Sequence, residues 1–376
     1  MTESRSIDAA PDRPGLLTRI GSWLRSIRQS GKEPPAQPQF GSGEQARRDF
    51  RAGLPRMIDQ VETAIENGDE AAAEAAIDWF KGHAKTLDNI RWNDCGDAAK
   101  AAYFAFSSSN SHACHNYNAH LIEKSAEFDY IGWPREIGEY IRGRRVLDVG
   151  CGFGAFGTGF LIAGAHSYVG VDPKMKLDSQ RAKNKRKRER ADLGMTPRQI
   201  MTACPNIEYL ASSYEELEHG RRFDVISMHN VTEHLLGIRE VLPDMKGLLD
   251  DEGLLIFHHH NFYCWNGHHL PPRTPERYDE TSAEQAQFAD WNHILVAANQ
   301  PPNHYFNTSL NQIRLDEIKT LTADNFEILA WDERESPPST LARLDDAILA
   351  KVRAFDPSLT RRDLVINAVF CVARRR

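Results

Sequence analysis

From residue 144 onward, short runs of β-branched and other apolar residues alternate with helix-length segments. The short runs fall at 146–149, 168–171, 207–211, 223–228, 253–257, 326–331 and 364–372. Strand-length runs with helical spacers predict an α/β fold, a parallel sheet with helices on both faces. Upstream the period is helical. Leu54, Met57, Ile58, Val61 and Ile65 share one face, Asn67-Gly68-Asp69 breaks the pattern, and an Ala-rich helix over 70–83 completes an αα-hairpin. Residues 97–142 continue helically past a polar interruption at 107–111, and Trp133-Pro134 opens the last helix before the sheet, over 135–141. The first 45 residues are rich in Pro, Ser, Arg and Gly and predict a mobile tail. It carries one amphipathic piece at 16–27, read as a solvated or self-docked helix. The expected division is a tail over 1–45, a helical extension over 46–140 and an α/β domain over 141–376.

Residues 262–311 exceed what a minimal sheet of this kind needs. Prolines at 271, 272, 301 and 302 punctuate them, and 282–298 reads as a helix between. An insertion after the fifth strand lies at the carboxyl edge, where α/β sheets bind ligands, so it predicts a substrate lid.

Composition changes this picture little. An apolar content of 41 % with no run near 18 apolar residues excludes a membrane span, and the N-terminus lacks the pattern of a secretory signal. Six cysteines (95, 114, 151, 204, 264 and 371) without a CxxC pair read as reduced thiols of a cytoplasmic protein. A net charge of −7 gives no general affinity for nucleic acid. The local exception is the basic block 181–190, whose charges spread around most of a helix and read as a solvated face. His112, Cys114, His115 and His120 could line a pocket or cap a helix; no second cluster pairs with them as a metal site.

The chemistry gathers at 144–173. A β-branched run ends in glycines at 150, 152, 154 and 157, a helix-length apolar segment follows, and a second short strand ends at Asp172. Such a unit makes a nucleoside site: glycines let the backbone turn sharply and approach a ligand, and an acid about 20 residues on reaches a ribose diol. Gly152, Gly154 and Gly157 also satisfy a dinucleotide pattern, yet Asp148 beside the turn would repel a pyrophosphate. A carboxylate there suits a ligand with an amino group and no phosphate. The stretch Val146-Leu147-Asp148-Val149-Gly150-Cys151-Gly152-Phe153-Gly154 resembles motif I of the class I S-adenosylmethionine-dependent methyltransferases. The resemblance covers roughly residues 140–376. It implies a Rossmann-like seven-stranded sheet with an antiparallel seventh strand between the fifth and sixth, and S-adenosylmethionine as cofactor. It also implies that Asp148, Gly150, Gly152 and Gly154 line the methionine side, that Asp172 holds the ribose, that Ser213 meets the adenine, and that His229 and Asn230 close the pocket.

Glu233-His234, read as opening the helix after strand four, resembles a pair found in many members of that family. In the small-RNA 3′-terminal and some quinone-ring O-methyltransferases, a carboxylate three residues upstream joins the pair to hold a divalent ion. Asn230 stands at that place here, so no metal is expected. Histidines crowd the same edge: His258, His259 and His260 end strand five, with His258 and His260 facing one way and His259 the other, and His268 and His269 follow. Histidine is suited to deprotonating a hydroxyl at neutral pH, and His268, His234 and His260, in that order, are the candidate bases. Phe262, Tyr263 and Trp265 stack on a planar or sugar substrate or form lid core.

The expectation is a methyltransferase acting on a small molecule, a saccharide or secondary metabolite, by O-methylation. The rivals are an RNA methyltransferase using the 181–190 block, a dinucleotide oxidoreductase, and a non-catalytic methyltransferase-like binding protein.

Overall fold

The computed structural model describes residues 130, 132–180 and 193–376, with isolated positions at 63, 67, 69, 72 and 125. The chain divides into two compact units, 1–129 and 130–376, and the second carries the sheet. The tail, the αα-hairpin, the His112 to His120 cluster and the 181–190 block lie outside the described residues. So does most of the extension expected over 46–140.

Seven strands form one sheet: β1 (Arg145–Val149), β2 (Ser167–Val171), β3 (Ile207–Leu210), β4 (Phe223–His229), β5 (Leu249–His260), β6 (Phe326–Glu335) and β7 (Ile366–Arg375). Their order is β3-β2-β1-β4-β5-β7-β6. The first five pair in parallel, and β7 runs antiparallel to both β5 and β6. This is the implied Rossmann-like order, with the seventh strand inserted. Residues 146–149 and 168–171 are buried without alternation, as strands covered on both faces must be.

Helix α1 (Gly132–Glu136) and α2 (Gly138–Ile141) lead into β1. The expected single helix over 135–141 is therefore two pieces, which begin at Gly132 and part at Ile137. Helix α3 (Gly157–Ile162) packs on β2 through Phe160 and Tyr168, whose ring centroids lie 4.9 Å apart. Helix α4 (Pro197–Ala203) precedes β3 under a capping box of Thr196 and Gln199. Helices α5 (Ile238–Leu248) and α9 (Leu315–Asn325) cover the sheet with Ile238, Leu242, Met245, Leu315 and Ile318, all buried against strand residues such as Ile226, Leu255 and Val369.

Several boundaries differ from expectation. After β4 the chain makes only a 3₁₀ turn, Thr232–His234, and α5 begins four residues later. The expected start of β7 at Leu364 is helical instead, because Thr360 and Asp363 cap a short helix, α12 (Arg361–Val365). The insertion holds α6 (Ala283–Ala286), α7 (Asn292–Ala297) and α8 (Tyr305–Ser309). The one helix expected over 282–298 breaks between α6 and α7, where Asp290 and Trp291 take φ values of 53° and 63°. Tertiary bonds override propensity there: Asp290 receives Arg343 and Trp265 Nε1–H, and the buried Trp291 donates to the Leu364 carbonyl. Beyond β6 come α10 (Pro338–Leu341) and α11 (Asp346–Phe355), neither of them expected. They give the insertion a core: Trp265, Ala289, Trp291 and Ile294 pack with Leu344, Val352, Leu359 and Leu364.

Candidate active site

The β1 turn is tied to the tip of β2, since Gly150 and Cys151 N–H both donate to the Val171 carbonyl. Gly150, Gly152 and Gly154 all have φ between 66° and 79°, which L side chains rarely adopt. What lies above each differs. A Cβ on Gly150 would meet Val231 Cγ2 at 2.2 Å, and one on Gly154 would meet the Tyr209 ring at 2.6 Å. A Cβ on Gly152 meets nothing within 4 Å. Packing thus demands two of the glycines, and the third presents bare backbone to open space. Asp172 stands beside it, its Oδ2 accepting from Gly152 N–H at 3.0 Å and its Oδ1 from Lys174 N–H at 2.7 Å.

Asp148 lies beneath the turn, paired in register with Gly170 on one side and Ser227 on the other. It is 3 % exposed; Tyr168 donates to its Oδ2 at 2.7 Å and Ser227 bonds it too. Burial raises its pKa to about 7 against these hydrogen bonds, and the nearby Asp172 charge adds to the rise. Trp133 donates its Nε1–H to Ser227 and stacks on His229 at 4.6 Å between centroids. Burial lowers His229 to about 3, so its ring is neutral. Asn230, at φ 52°, accepts from His258 Nδ1–H at 2.6 Å. Ser213 opens the 3₁₀ turn Tyr214–Glu216 and donates its hydroxyl to Glu215. Two acids at a turn that offers bare backbone suit a cationic amino-acid nucleoside and disfavour a diphosphate.

The second cluster forms where the 232–234 turn, the end of β5 and the insertion meet. Glu233 is 3 % exposed, and burial raises its pKa to about 7. Its Oε2 has only long contacts, at 3.5 Å, with the Thr232 hydroxyl and His260 N–H, and its Oε1 has no hydrogen-bond partner. His234 donates Nδ1–H to the Ser309 carbonyl at 2.7 Å, so its Nε2 carries the lone pair, 4.0 Å from Glu233 Oε1. His269, at φ 58°, lies edge-on to the His234 ring and places Nε2 2.6 Å from His260 Nδ1. Burial holds His260 at about 4 and His269 at about 2. Asn311 fixes the turn from the other side, through N–H to the Glu233 carbonyl and Nδ2 to the carbonyls of Thr232 and Leu235.

Of the three candidate bases, His234 and His260 meet at this cluster and His268 does not. His268 is fully buried, stacked on Phe288, with a pKa lowered by burial to about 2. Leu270 N–H occupies its Nδ1, which puts its proton on Nε2, so no lone pair is left to take another. The leading candidate is therefore corrected: His268 is insertion core. Its neighbour His269 reaches the cluster instead. His259 faces away, as alternation requires, and bonds Thr232. Phe262 and Trp265 are buried and belong to the insertion core, and Tyr263 lies under Arg314. Tyr168 and Tyr209 shape the turn from below and Trp133 stacks on His229; their only signal in the sequence is an aromatic residue within an apolar run or beside a proline.

The profile described as a methyltransferase domain matches residues 118–315, more than half of the chain. The chain belongs to that family. It is an S-adenosylmethionine-dependent methyltransferase. Among solved structures, a methyltransferase of the same dependence from Mesorhizobium loti shares 16 % identity at TM-score 0.36, over 65 % of this chain and 96 % of that one. A geranyl diphosphate methyltransferase in complex with SAM shares 14 % at TM-score 0.36, over 71 % and 91 %. The [4+2]-cyclase SpnF shares 13 % at TM-score 0.38, over 66 % and 81 %. No curated protein matches. Membership in the methyltransferase family rests on the domain match alone. No helix among the described residues is long and apolar enough to cross a membrane. The bare Gly152 backbone beside Asp172 fits the cofactor, and the dinucleotide rival falls with the family match.

Proposed function

We propose that this methyltransferase acts on a hydroxyl oxygen of a small molecule, a saccharide or secondary metabolite, and that a histidine of the β4/β5 edge accepts the proton. The supporting observation is the meeting of His234 and His260 beside Glu233, at the same carboxyl edge of the sheet as the Gly152 turn. S-adenosylmethionine, when bound, supplies a methyl carbon on a sulfonium that departs as a neutral thioether. Asp172 would hold its ribose, the bare Gly152 backbone its methionine portion, with Gly150 and Gly154 shaping the turn and Asp148 acting from beneath it through its charge, Ser213 its adenine, and His229 with Asn230 the back of the pocket. The chain's own residues would position the acceptor oxygen and take its proton. The 262–311 insertion walls the acceptor side as a lid. A net charge of −7 supports a small acceptor over a polyanion.

Incubation with S-adenosylmethionine and a panel of polyols, phenols and amines, read by mass spectrometry, tests this. Methyl ethers should form, and His260→Asn should lower kcat by about 10²- to 10⁴-fold with S-adenosylhomocysteine affinity kept. Products methylated only on nitrogen or carbon would overturn it.

A further inference from the structure

We infer that Glu233, His234 and His269 form a binding site for one divalent transition-metal ion. One ligand atom from each lies within 4.8 Å of the other two, close enough for a single ion to gather them. Two separate segments supply them: the turn after β4 gives Glu233 and His234, and the insertion gives His269. The expectation of no metal rested on Asn230, which is engaged with His258; the third donor comes from elsewhere in the chain.

An independent observation points into the same space. Glu233 Oε1 is buried without any hydrogen-bond partner, and a carboxylate oxygen is among the costliest groups to leave so. A cation would satisfy it directly. The rings are also oriented as metal-bound imidazoles are. A ligating histidine commonly donates its other N–H to a carbonyl, which fixes ring and tautomer. His234 does so to Ser309 at 2.7 Å, with Nε2 turned toward Glu233. The His269 ring is braced by His260 at 2.6 Å. Asn311 clamps the turn that carries Glu233 through three backbone carbonyls.

The donor set selects the ion. Two imidazoles and one carboxylate suit Zn²⁺, Fe²⁺, Co²⁺ or Ni²⁺, whereas Mg²⁺ and Ca²⁺ prefer oxygen ligands throughout. Three protein ligands leave positions open for a substrate oxygen. The catalytic consequence rests on the hydroxyl-transfer reading: the ion would orient and acidify the acceptor hydroxyl. The binding itself does not rest on that reading.

The test uses the full chain, stripped with a chelator, dialysed and titrated by calorimetry with Zn²⁺, Co²⁺ and Mg²⁺. One equivalent of Zn²⁺ or Co²⁺ should bind, Co²⁺ with visible d–d absorption, and Mg²⁺ far more weakly. Glu233→Gln and His269→Asn should each weaken Zn²⁺ by more than about 100-fold, with S-adenosylhomocysteine binding retained as proof of folding. His115→Asn, at the other histidine cluster, should change nothing. Absence of stoichiometric Zn²⁺ and Co²⁺ binding, or affinity unchanged in both cluster variants, overturns the inference and leaves the methyltransferase reading intact. Metal binding without methyl ether formation overturns the hydroxyl reading and leaves the site.

Discussion

Asp172 Oδ2 accepts the Gly152 N–H at 3.0 Å, which pins the acid at the tip of β2 to the one turn glycine whose Cα faces open space. If that carboxylate holds the ribose diol, Asp172→Ala weakens S-adenosylhomocysteine binding by about 1.5–3 kcal/mol, the range for hydrogen bonds to a charged group. Calorimetry showing unchanged affinity would remove Asp172 from the site.

Gly152 and Gly154 separate ligand approach from packing. Gly154→Ala drives a Cβ to 2.6 Å from Tyr209 at φ 79°, so it should lower Tm strongly. Gly152→Ala carries only the left-handed strain, about 1–2 kcal/mol, yet its methyl fills the space a ligand must enter. The expected split is a modest Tm loss with cofactor affinity abolished at 152, against a large Tm loss at 154. Equal losses of both quantities at both positions would contradict it.

Asp148 predicts a pH dependence. Its folded pKa of about 7 lies above its unfolded value of roughly 4, so the native state holds a proton that the unfolded chain releases. This group's contribution is most favourable below about pH 4, and falls as pH rises through about 7. A bound sulfonium and ammonium favour the ionised acid, so S-adenosylmethionine should bind more tightly as pH rises from about 6 to about 8, with proton release. In Asp148→Asn the part of the slope due to this acid should vanish. A slope identical to the parent's would mean another group titrates.

Trp291 predicts how the insertion is held. It is fully buried, sits at φ 63° and donates to the Leu364 carbonyl. Trp291→Ala should cost about 3–5 kcal/mol, and limited proteolysis should then cut within 262–311 before the strands. An unchanged cleavage pattern would show that other contacts anchor the insertion.

The strands and the cofactor turn were legible because each is local. Val146 to Gly154 combines a β-branched run with glycines at fixed spacing, and burial on both faces leaves strands 1 and 2 no other reading. Boundaries were lost where tertiary bonds decide them: Asp290 and Trp291 break an otherwise helical stretch for the sake of Arg343 and Leu364. Helix α11 is legible in the sequence, since Ile348, Leu349 and Val352 are spaced on one face behind an Asp345 cap. At the histidine edge the sequence supplied the right residue type at the right edge. It could not tell His268 from His269, because a single residue of loop geometry sends one ring into the insertion core and the other toward Glu233.

The position of β7 has a consequence for synthesis. It is the last of the seven strands to be made, yet it lies between β5 and β6, with Ala368 to Phe370 opposite His258 to His260. Until 366–375 emerge, the edge bearing those histidines has no partner on that side, and β6 is not joined to the sheet at all. The cofactor turn, formed by β1 to β4, needs no contact with β6 or β7. The acceptor edge therefore depends on contacts that close loops on the order of a hundred residues, and the nucleoside turn does not.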